Sequence, residues 1–479
     1  MKKRNQSSLS VVLVIVVIAI FTMTFTGCGL SSVLKQEAGS ASQEEAARDE
    51  GEIIGVENVP EETVEAREED ETEEAGNEQN NPEEVTGTNF KIAYFEVSSA
   101  ENSTHFEHRV AEIYAINPDG SEKELIYTDL EEKYDLSRIY HVSPDYSKID
   151  CGFYEGGRGA YGALAVIDVL TGTLKKLVEF DYTNDESQQL LTDIYGSPIW
   201  ANDGKRIAYE IISQPFTSNF RDAGIYIVDI ETGEKMEVGI GIEGLSARST
   251  TFLNPVIFTD GDGKIFAIER SYIAKEENGE VLGYSSRNEK LFLIDISNES
   301  MEEILTVGDF ENELSVFENF NLLADQRKLI FQVLGDFEED GDIWVCNTDG
   351  SGLAQITSDT DLREQQPSIF EDTDGTGKVA YIGSGRYGTI SSQIPSGDVY
   401  LVNIDGSDNK KLTDYVIGCA KPIISPDGRF IAFINHIYGE NQENIETRRI
   451  EVFDTETNQA TVLVEGSGIF DLVGWITGN

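Results

Sequence analysis

The feature that most constrains this chain is a short pattern that returns six times. Two apolar runs flank a tight turn made of Asp, Gly, Pro or Ser. It reads "HVSPDYSKIDCGF" from His141, "PIWANDGKRIAYE" from Pro198 and "PVIFTDGDGKIFAIE" from Pro255. It returns as "NLLADQRKLIFQV" from Asn321, "SIFEDTDGTGKVAYI" from Ser368 and "PIISPDGRFIAFI" from Pro422. Such turns between alternating apolar residues predict β-hairpins. Asp and Gly supply the turn conformations and Pro pre-sets one backbone angle. The turn residues Asp145, Asp203, Asp262, Asp325, Asp374 and Asp427 are 49 to 63 residues apart.

Each hairpin is followed by a second one, as in "IYIVDIETGEKMEV", "DIWVCNTDGSGLAQIT" and "DVYLVNIDGSDNKKLT". One unit is therefore four short strands, a to d, with no helical periodicity between them. Strand-only repeats of this length predict an all-β chain folded as a β-propeller. The two ends of the repeat region complete one another. "NFKIAYFE" (residues 89–96) begins at strand b, and "LVGWITGN" (residues 472–479) matches strand a, with Trp475 at the place of Trp200. Joining them gives one composite blade beside six internal ones. The expectation is a seven-bladed ring closed by the C-terminal strand, with no open sheet edge.

The S-P-D-G-[KR]-x-I-A-[FY] hairpin, paired with "IWVCNTDGSGLAQIT" and "VYLVNIDGSDNKKLT", resembles the TolB-like (WD-like) propeller repeat over about residues 90–479. The resemblance is specific for fold and weak for activity, because such propellers serve as adaptors, sensors and enzymes. TolB itself is a soluble, six-bladed periplasmic partner of an envelope complex. The features described next and the seventh blade depart from it.

The chain opens with Lys2, Lys3 and Arg4, then a wholly apolar Val11–Ile20 run, then "FTGC". This is the layout of a secretory signal, with an apolar run short of the roughly 20 residues of a membrane span. Thr26 and Gly27 before Cys28 resemble the lipobox of bacterial lipoproteins, with Phe25 where Leu is usual. The resemblance implies a signal peptide over residues 1–27 and a diacylglycerol thioether on Cys28. Residues 28–88 then form a disordered acidic tether, and 89–479 the propeller. Export to a bacterial membrane follows, with the outer face of the cytoplasmic membrane favoured over the outer membrane.

Of the chain's 88 acidic and 36 basic residues, 19 and 3 fall in residues 35–88. That segment has almost no large apolar residue, a composition that stays disordered. With the three basic residues at the start set aside, 69 acidic and 30 basic residues remain from residue 89 on. So acidic a surface repels phosphate backbones and excludes nucleic acid as a partner. Beyond Cys28, the cysteines Cys151, Cys346 and Cys419 lie far apart with no C-x-x-C pattern. A zinc site or redox pair is not expected, and Cys151 and Cys346 read as small core hydrophobes.

Every unit carries an insertion between strands b and c, so all seven are expected on one face. That is where a propeller places its binding surface. Arg158 with Tyr161, Phe220 with Arg221, Tyr284 with Arg287, and Arg386 with Tyr387 repeat an Arg-plus-aromatic pairing, and Tyr438 lies near Arg448 and Arg449. Aromatic faces stack on sugars and guanidinium forks receive carboxylates. The partner so implied is a protein or an anionic envelope polymer; internal pairing of these arginines with Glu is the competing reading.

No resident cofactor is expected. "DGDG" at Asp260 and "DTDGTG" at Asp372 invite Ca2+, but lack the later ligands of an EF-hand loop and occupy the hairpin turn. Only four histidines exist, His105, His108, His141 and His436, on the first, first, second and seventh blades. Imidazoles from adjacent blades suit a transition metal. Some seven-bladed relatives of the repeat family are metal-dependent lyases of acidic sugars, which makes His105, His108 and His436 the alternative metal set. No G-x-S-x-G follows the ring, so hydrolase chemistry is not expected.

Overall fold

The computed structural model describes residues 90–99, 109–128, 134–155, 162–178, 190–215, 222–238, 249–259, 261–277, 280–310, 316–323, 325–334, 341–359, 361–372, 376–385, 397–415, 418–438 and 445–478. The lipidation and tether expectations, Cys28 included, lie outside these residues.

Blade 1 holds β1 (Phe90–Ser99), β2 (Arg109–Ile116) and β3 (Glu124–Thr128). Blade 2 holds β4 (Tyr134–Val142), β5 (Lys148–Glu155), β6 (Gly162–Asp168) and β7 (Leu174–Val178). In blade 3 these are β8 (Leu190–Trp200), β9 (Arg206–Pro215), β10 (Asp222–Asp229) and β11 (Lys235–Val238). Blade 4 is built of β12 (Ser249–Thr259), β13 (Lys264–Glu277), β14 (Glu280–Asp295) and β15 (Ser300–Thr306). Blade 5 follows with β16 (Val316–Leu322), β17 (Lys328–Leu334), β18 (Gly341–Asn347) and β19 (Ala354–Gln355). Blade 6 has β20 (Leu362–Glu371), β21 (Gly377–Gly385), β22 (Asp398–Asn403) and β23 (Lys410–Lys411). Blade 7 has β24 (Cys419–Ile424), β25 (Phe430–Tyr438), β26 (Ile445–Asp454) and β27 (Gln459–Gly466). The last strand, β28 (Ile469–Thr477), returns to blade 1, whose sheet order is β28-β1-β2-β3.

Seven four-stranded sheets result, and the ring closes as the sequence predicts. Phe90 pairs with Thr477 and Ile92 with Trp475. Trp200 pairs with Ile207 in the same register of blade 3, so the two tryptophans are equivalent. The first strand of each blade is the innermost. β28 touches β4, β4 touches β8, and the chain of contacts runs through β12, β16, β20 and β24 back to β28.

The turns show why Ser-Pro-Asp-Gly is repeated. Ser425 Oγ accepts from the Phe430 N–H at 2.8 Å and donates to the Asp427 carboxylate, which also accepts from the Arg429 N–H at 3.1 Å. Gly428 takes φ +71°, left-handed backbone that glycine adopts without a Cβ penalty. The same bonds recur at Ser143 and Asp145. These aspartates thus fix turns, as expected from the pattern.

The core consists of blade faces pressed on blade faces. Ile149, Cys151, Ala165 and Ile167 of blade 2 meet Ala93, Ile113 and Ala115 of blade 1. Ile92 and Tyr94 of blade 1 likewise meet Ala432, Ile434, Ile450 and Val452 of blade 7. Similar clusters fill the other five joints. Each large side chain so buried contributes about 1.5–3 kcal/mol. Cys151, Cys346 and Cys419 are all free and buried, as packing residues.

Polar stitches run between neighbouring blades. Trp200 Nε1 donates to Asp150 Oδ1 at 2.9 Å, joining blades 2 and 3. Asn254 of blade 4 donates to Glu210 of blade 3. The Phe317 N–H donates to Glu289 Oε2 at 2.8 Å, from blade 5 to blade 4. Trp475 Nε1 donates to the Ile423 carbonyl at 3.0 Å, locking the closing strand to blade 7.

Candidate functional site

Strands b and c are consecutive antiparallel neighbours in all seven sheets, so their connections leave the ring on one face. Of the residues expected there, Arg158, Tyr161, Phe220, Arg221, Arg386, Tyr387, His105 and His108 lie outside the described residues. Tyr284 and Arg287 are on β14, where they pair with Ala274 and Tyr272. The blade 4 insertion is therefore strand: β13 and β14 run 14 and 16 residues and extend the b–c hairpin. Tyr438 and His436 also stand on a strand, β25, instead of in the insertion proper. β25 runs four residues beyond Ile434, where the expected hairpin ends.

At blade 7 the arginines do bind internally. Arg449 Nε meets Glu465 Oε2 at 2.8 Å, and Arg448 Nη1 donates to the Gly468 carbonyl at 3.0 Å. Burial raises the Tyr438 phenol pKa, against the nearby charge of Arg448.

The inner strands bring together a set that the sequence analysis only partly saw. Each of them breaks register against its b strand at about the same level. In blades 5, 6 and 7 this break puts Asn319, Gln366 and Lys421 at φ 53°, 57° and 53°. Non-glycine residues held there cost about 1–3 kcal/mol each and concentrate at functional sites. A hydrogen-bonded belt fixes them. Gln332 Oε1 accepts from Asn319 Nδ2 at 2.7 Å and from the Gln366 N–H at 3.1 Å. Gln366 Oε1 accepts from the Lys421 N–H at 2.7 Å. The Lys421 ammonium donates to the Leu472 carbonyl and lies 3.3 Å from Asp471 Oδ1. Four successive blades, 5, 6, 7 and 1, are linked in this way.

His141 completes the cluster from β4 of blade 2. Its side chain is accessible, though protein mass surrounds the ring. That enclosure, with the charge of Lys421, pushes its pKa down to about 4, so the ring is neutral at neutral pH. His436, on β25 of blade 7, is half-buried, its Nδ1 3.1 Å from the Gly418 carbonyl. Burial first, then Arg448, lowers its pKa, while Asp471 acts the other way. Two of the four histidines thus lie on the blades either side of blade 1, His141 in the field of Lys421 and His436 in that of Arg448 and Asp471. Lys421 and Asp471 were not anticipated. A signal existed: "CAKPII" and "EQQPSI" each set a polar residue before Pro inside an apolar inner strand.

Among the described residues no three His, Cys, Asp or Glu side chains stand close enough to hold one metal ion. At the "DGDG" turn the Asp262 carboxylate is engaged by nitrogen donors of blade 3. Oδ1 accepts from the Asn202 N–H at 2.8 Å and Oδ2 from the Asp203 N–H at 2.8 Å. No helix among the described residues is long and apolar enough to cross a membrane.

Neither a protein-family model nor a curated protein matches the chain. Solved structures do. A prolyl endopeptidase aligns with a TM-score of 0.50 and 14% identity, over 79% of this chain and 50% of its own. TolB from Acinetobacter baumannii aligns at 0.37 and 17%, over 66% and 62%. An oligogalacturonate lyase in complex with manganese aligns at 0.45 and 16%, over 78% and 85%. The chain spans about half the length of the endopeptidase, and that likeness concerns fold alone. The chain is an all-β, seven-bladed propeller whose solved structural neighbours include TolB proteins.

Proposed function

We propose that this chain is an exported, lipid-anchored bacterial protein whose propeller is a non-catalytic binding module for a protein or an anionic envelope polymer. Cys28 carries the anchor, and each buried acyl methylene contributes about 0.8 kcal/mol of membrane affinity. One observation carries the reading: sheet order directs all seven b–c connections to a single face of a closed ring. In sequence the b–c segments carry Arg158, Arg221, Arg287 and Arg386, each near an aromatic, inside a domain otherwise dominated by carboxylates. Capture experiments with the purified propeller test it. Arg221→Glu and Arg386→Glu should each lose at least tenfold in recovered partner at unchanged melting temperature. Equal recovery by both variants sinks the chosen face.

The position of His436 on β25 of blade 7, next to blade 1 whose β1–β2 segment carries His105 and His108 in sequence, favours a second reading, a metal-dependent polysaccharide lyase using His105, His108 and His436. Stoichiometric manganese or zinc binding, lost in both His105→Ala and His436→Ala, supports that reading. Identical melting with and without metal removes it.

A further inference from the structure

We propose that the outer edge of β27 in blade 7 is a docking strand, which a cationic, extended segment of a partner protein joins as a fifth strand of that sheet. The site is on the rim of the ring, apart from the loop face, and the proposal goes beyond the reading given for that face.

The outermost strand of a blade presents unpaired N–H and C=O groups, a template for any extended chain. Proteins blunt such edges with charged residues, short strands or bulges. Six of the seven blades use charge or brevity. β3 carries Glu124, β7 carries Lys175 and Lys176, β11 carries Lys235 and Glu237, and β15 carries Glu302 and Glu303. β19 and β23 are two residues each. Blade 7 departs from this pattern. Its β27, "QATVLVEG", has eight residues, more than any other outer strand, and the first six are uncharged.

β27 has one blunting device, a register break against β26 that leaves Leu463 without a Cα partner. Residues 459–462 stay in regular antiparallel register, and the similar breaks at β3, β7 and β15 come with charges. Gln459, Ala460, Thr461 and Val462 are all exposed, Val462 by 45%. Leu125 and Met236 are as exposed on β3 and β11, but Glu124, or Lys235 and Glu237, stand next to them in sequence. Among the described residues, no backbone hydrogen bond joins β27 to anything but β26. The strand is anchored from behind, because Leu463 and Val464 pack on the core between blades 7 and 1. An anchored edge leaves only the incoming segment to be ordered on binding.

Side-chain alternation and charge define the occupant. Gln459 and Thr461 lie on one face of the sheet, Ala460 and Val462 on the other. A segment that alternates hydroxyl and apolar β-branched residues pairs with both faces, while its main chain supplies the hydrogen bonds. Carboxylates frame the run, Glu456 before it (67% exposed) and Glu465 after it (51%). Each has an Arg partner, Arg429 at 3.3 Å and Arg449 at 2.8 Å, in exposed ion pairs of the weak kind. Both carboxylates therefore remain open to a Lys or Arg of the partner. From residue 89 on, 69 acidic residues face 30 basic ones, so a second copy is repelled and a cationic segment is drawn in. At about 3.3 Å per residue, residues 459–465 offer an edge of about 20 Å, enough for about six or seven partner residues.

The probe is a fluorescent peptide of six alternating Thr and Val residues between terminal lysines, titrated with the full chain and read by anisotropy. Two companion peptides replace the lysines by glutamates or N-methylate every amide of the Thr-Val run. The lysine peptide should bind and protect the β27 amides from hydrogen exchange, and both companions should bind at least tenfold more weakly. Thr461→Lys, which gives β27 the charge that other outer strands carry, should weaken binding tenfold or more at unchanged melting temperature. Thr461→Glu should bind at least as well as the parent. Absent binding of the lysine peptide, equal binding of either companion, or equal binding by Thr461→Lys overturns the proposal. A concentration-dependent dimer of the parent that Thr461→Lys dissolves also overturns it, because the edge then serves a second copy. Capture through the loop face, tested with Arg221→Glu and Arg386→Glu, reads a different surface, so the two proposals fail separately.

Discussion

Glu210→Gln isolates what it costs to place a carboxylate in the joint between blades 3 and 4. Glu210 is 1% exposed, and burial is the main cause that pushes its pKa up from 4.5 to about 8. The Leu253 N–H, Arg270 and Asn254 pull in the opposite direction and recover only part of the loss. A raised carboxylate pKa means that the folded chain holds a proton which the unfolded chain releases from about pH 4.5. Stability therefore falls as pH rises from there to about 8. At about 1.36 kcal/mol per unit, the cost is about 1 kcal/mol at pH 5 and approaches about 5 kcal/mol by pH 8.5.

Gln has the same shape and no charge to desolvate. Its carbonyl keeps the acceptor role toward Asn254, and its amide occupies the side where Glu210 Oε1 is buried without a partner. The variant should be nearly equal to the parent at pH 5 and more stable by about 2–4 kcal/mol at pH 8.5. Urea unfolding of both proteins at the two pH values measures this, since every other titrating group cancels in the difference. A difference independent of pH, or a Gln variant weaker at pH 8.5, refutes the reasoning.

Trp475→Ala should cost about 3–5 kcal/mol by emptying the blade 7–blade 1 joint and removing the bond to Ile423, read as a lower urea midpoint. Gly418 sits at φ +108° with the His436 carbonyl oxygen 2.3 Å from where a Cβ would be. Gly418→Ala should therefore cost about 2 kcal/mol or more and shift the His436 ring resonance, whereas an unchanged resonance contradicts the packing described. Cys28→Ser should move the protein from the membrane fraction to the soluble one; retention in the membrane removes the anchor from the proposal.

Fold and site differ in how far the sequence discloses them. Blade number, ring closure and the equivalence of Trp475 with Trp200 follow from local patterns, because turn chemistry and strand alternation are short-range. The belt from Gln332 to Asp471 is not local: its members come from four blades, and each looks alone like an incidental polar residue. Their convergence depends on a register break that puts Asn319, Gln366 and Lys421 in left-handed backbone, a conformation that nothing about Lys or Gln announces. The histidines show the same limit. Blade order placed His141 and His436 on neighbouring parts of the ring, but only coordinates reveal the Lys421–Asp471 pair on its inner strands.

Pairing Phe90 with Thr477 has a consequence for biogenesis. Blade 1 lacks its innermost strand until almost 390 residues after Phe90 have been made. Contacts this remote in sequence form slowly. Until β28 arrives, β1 must remain an open template, available to any stray extended segment. A chaperone that shields that edge would raise the yield of native rings more than one acting on any other blade.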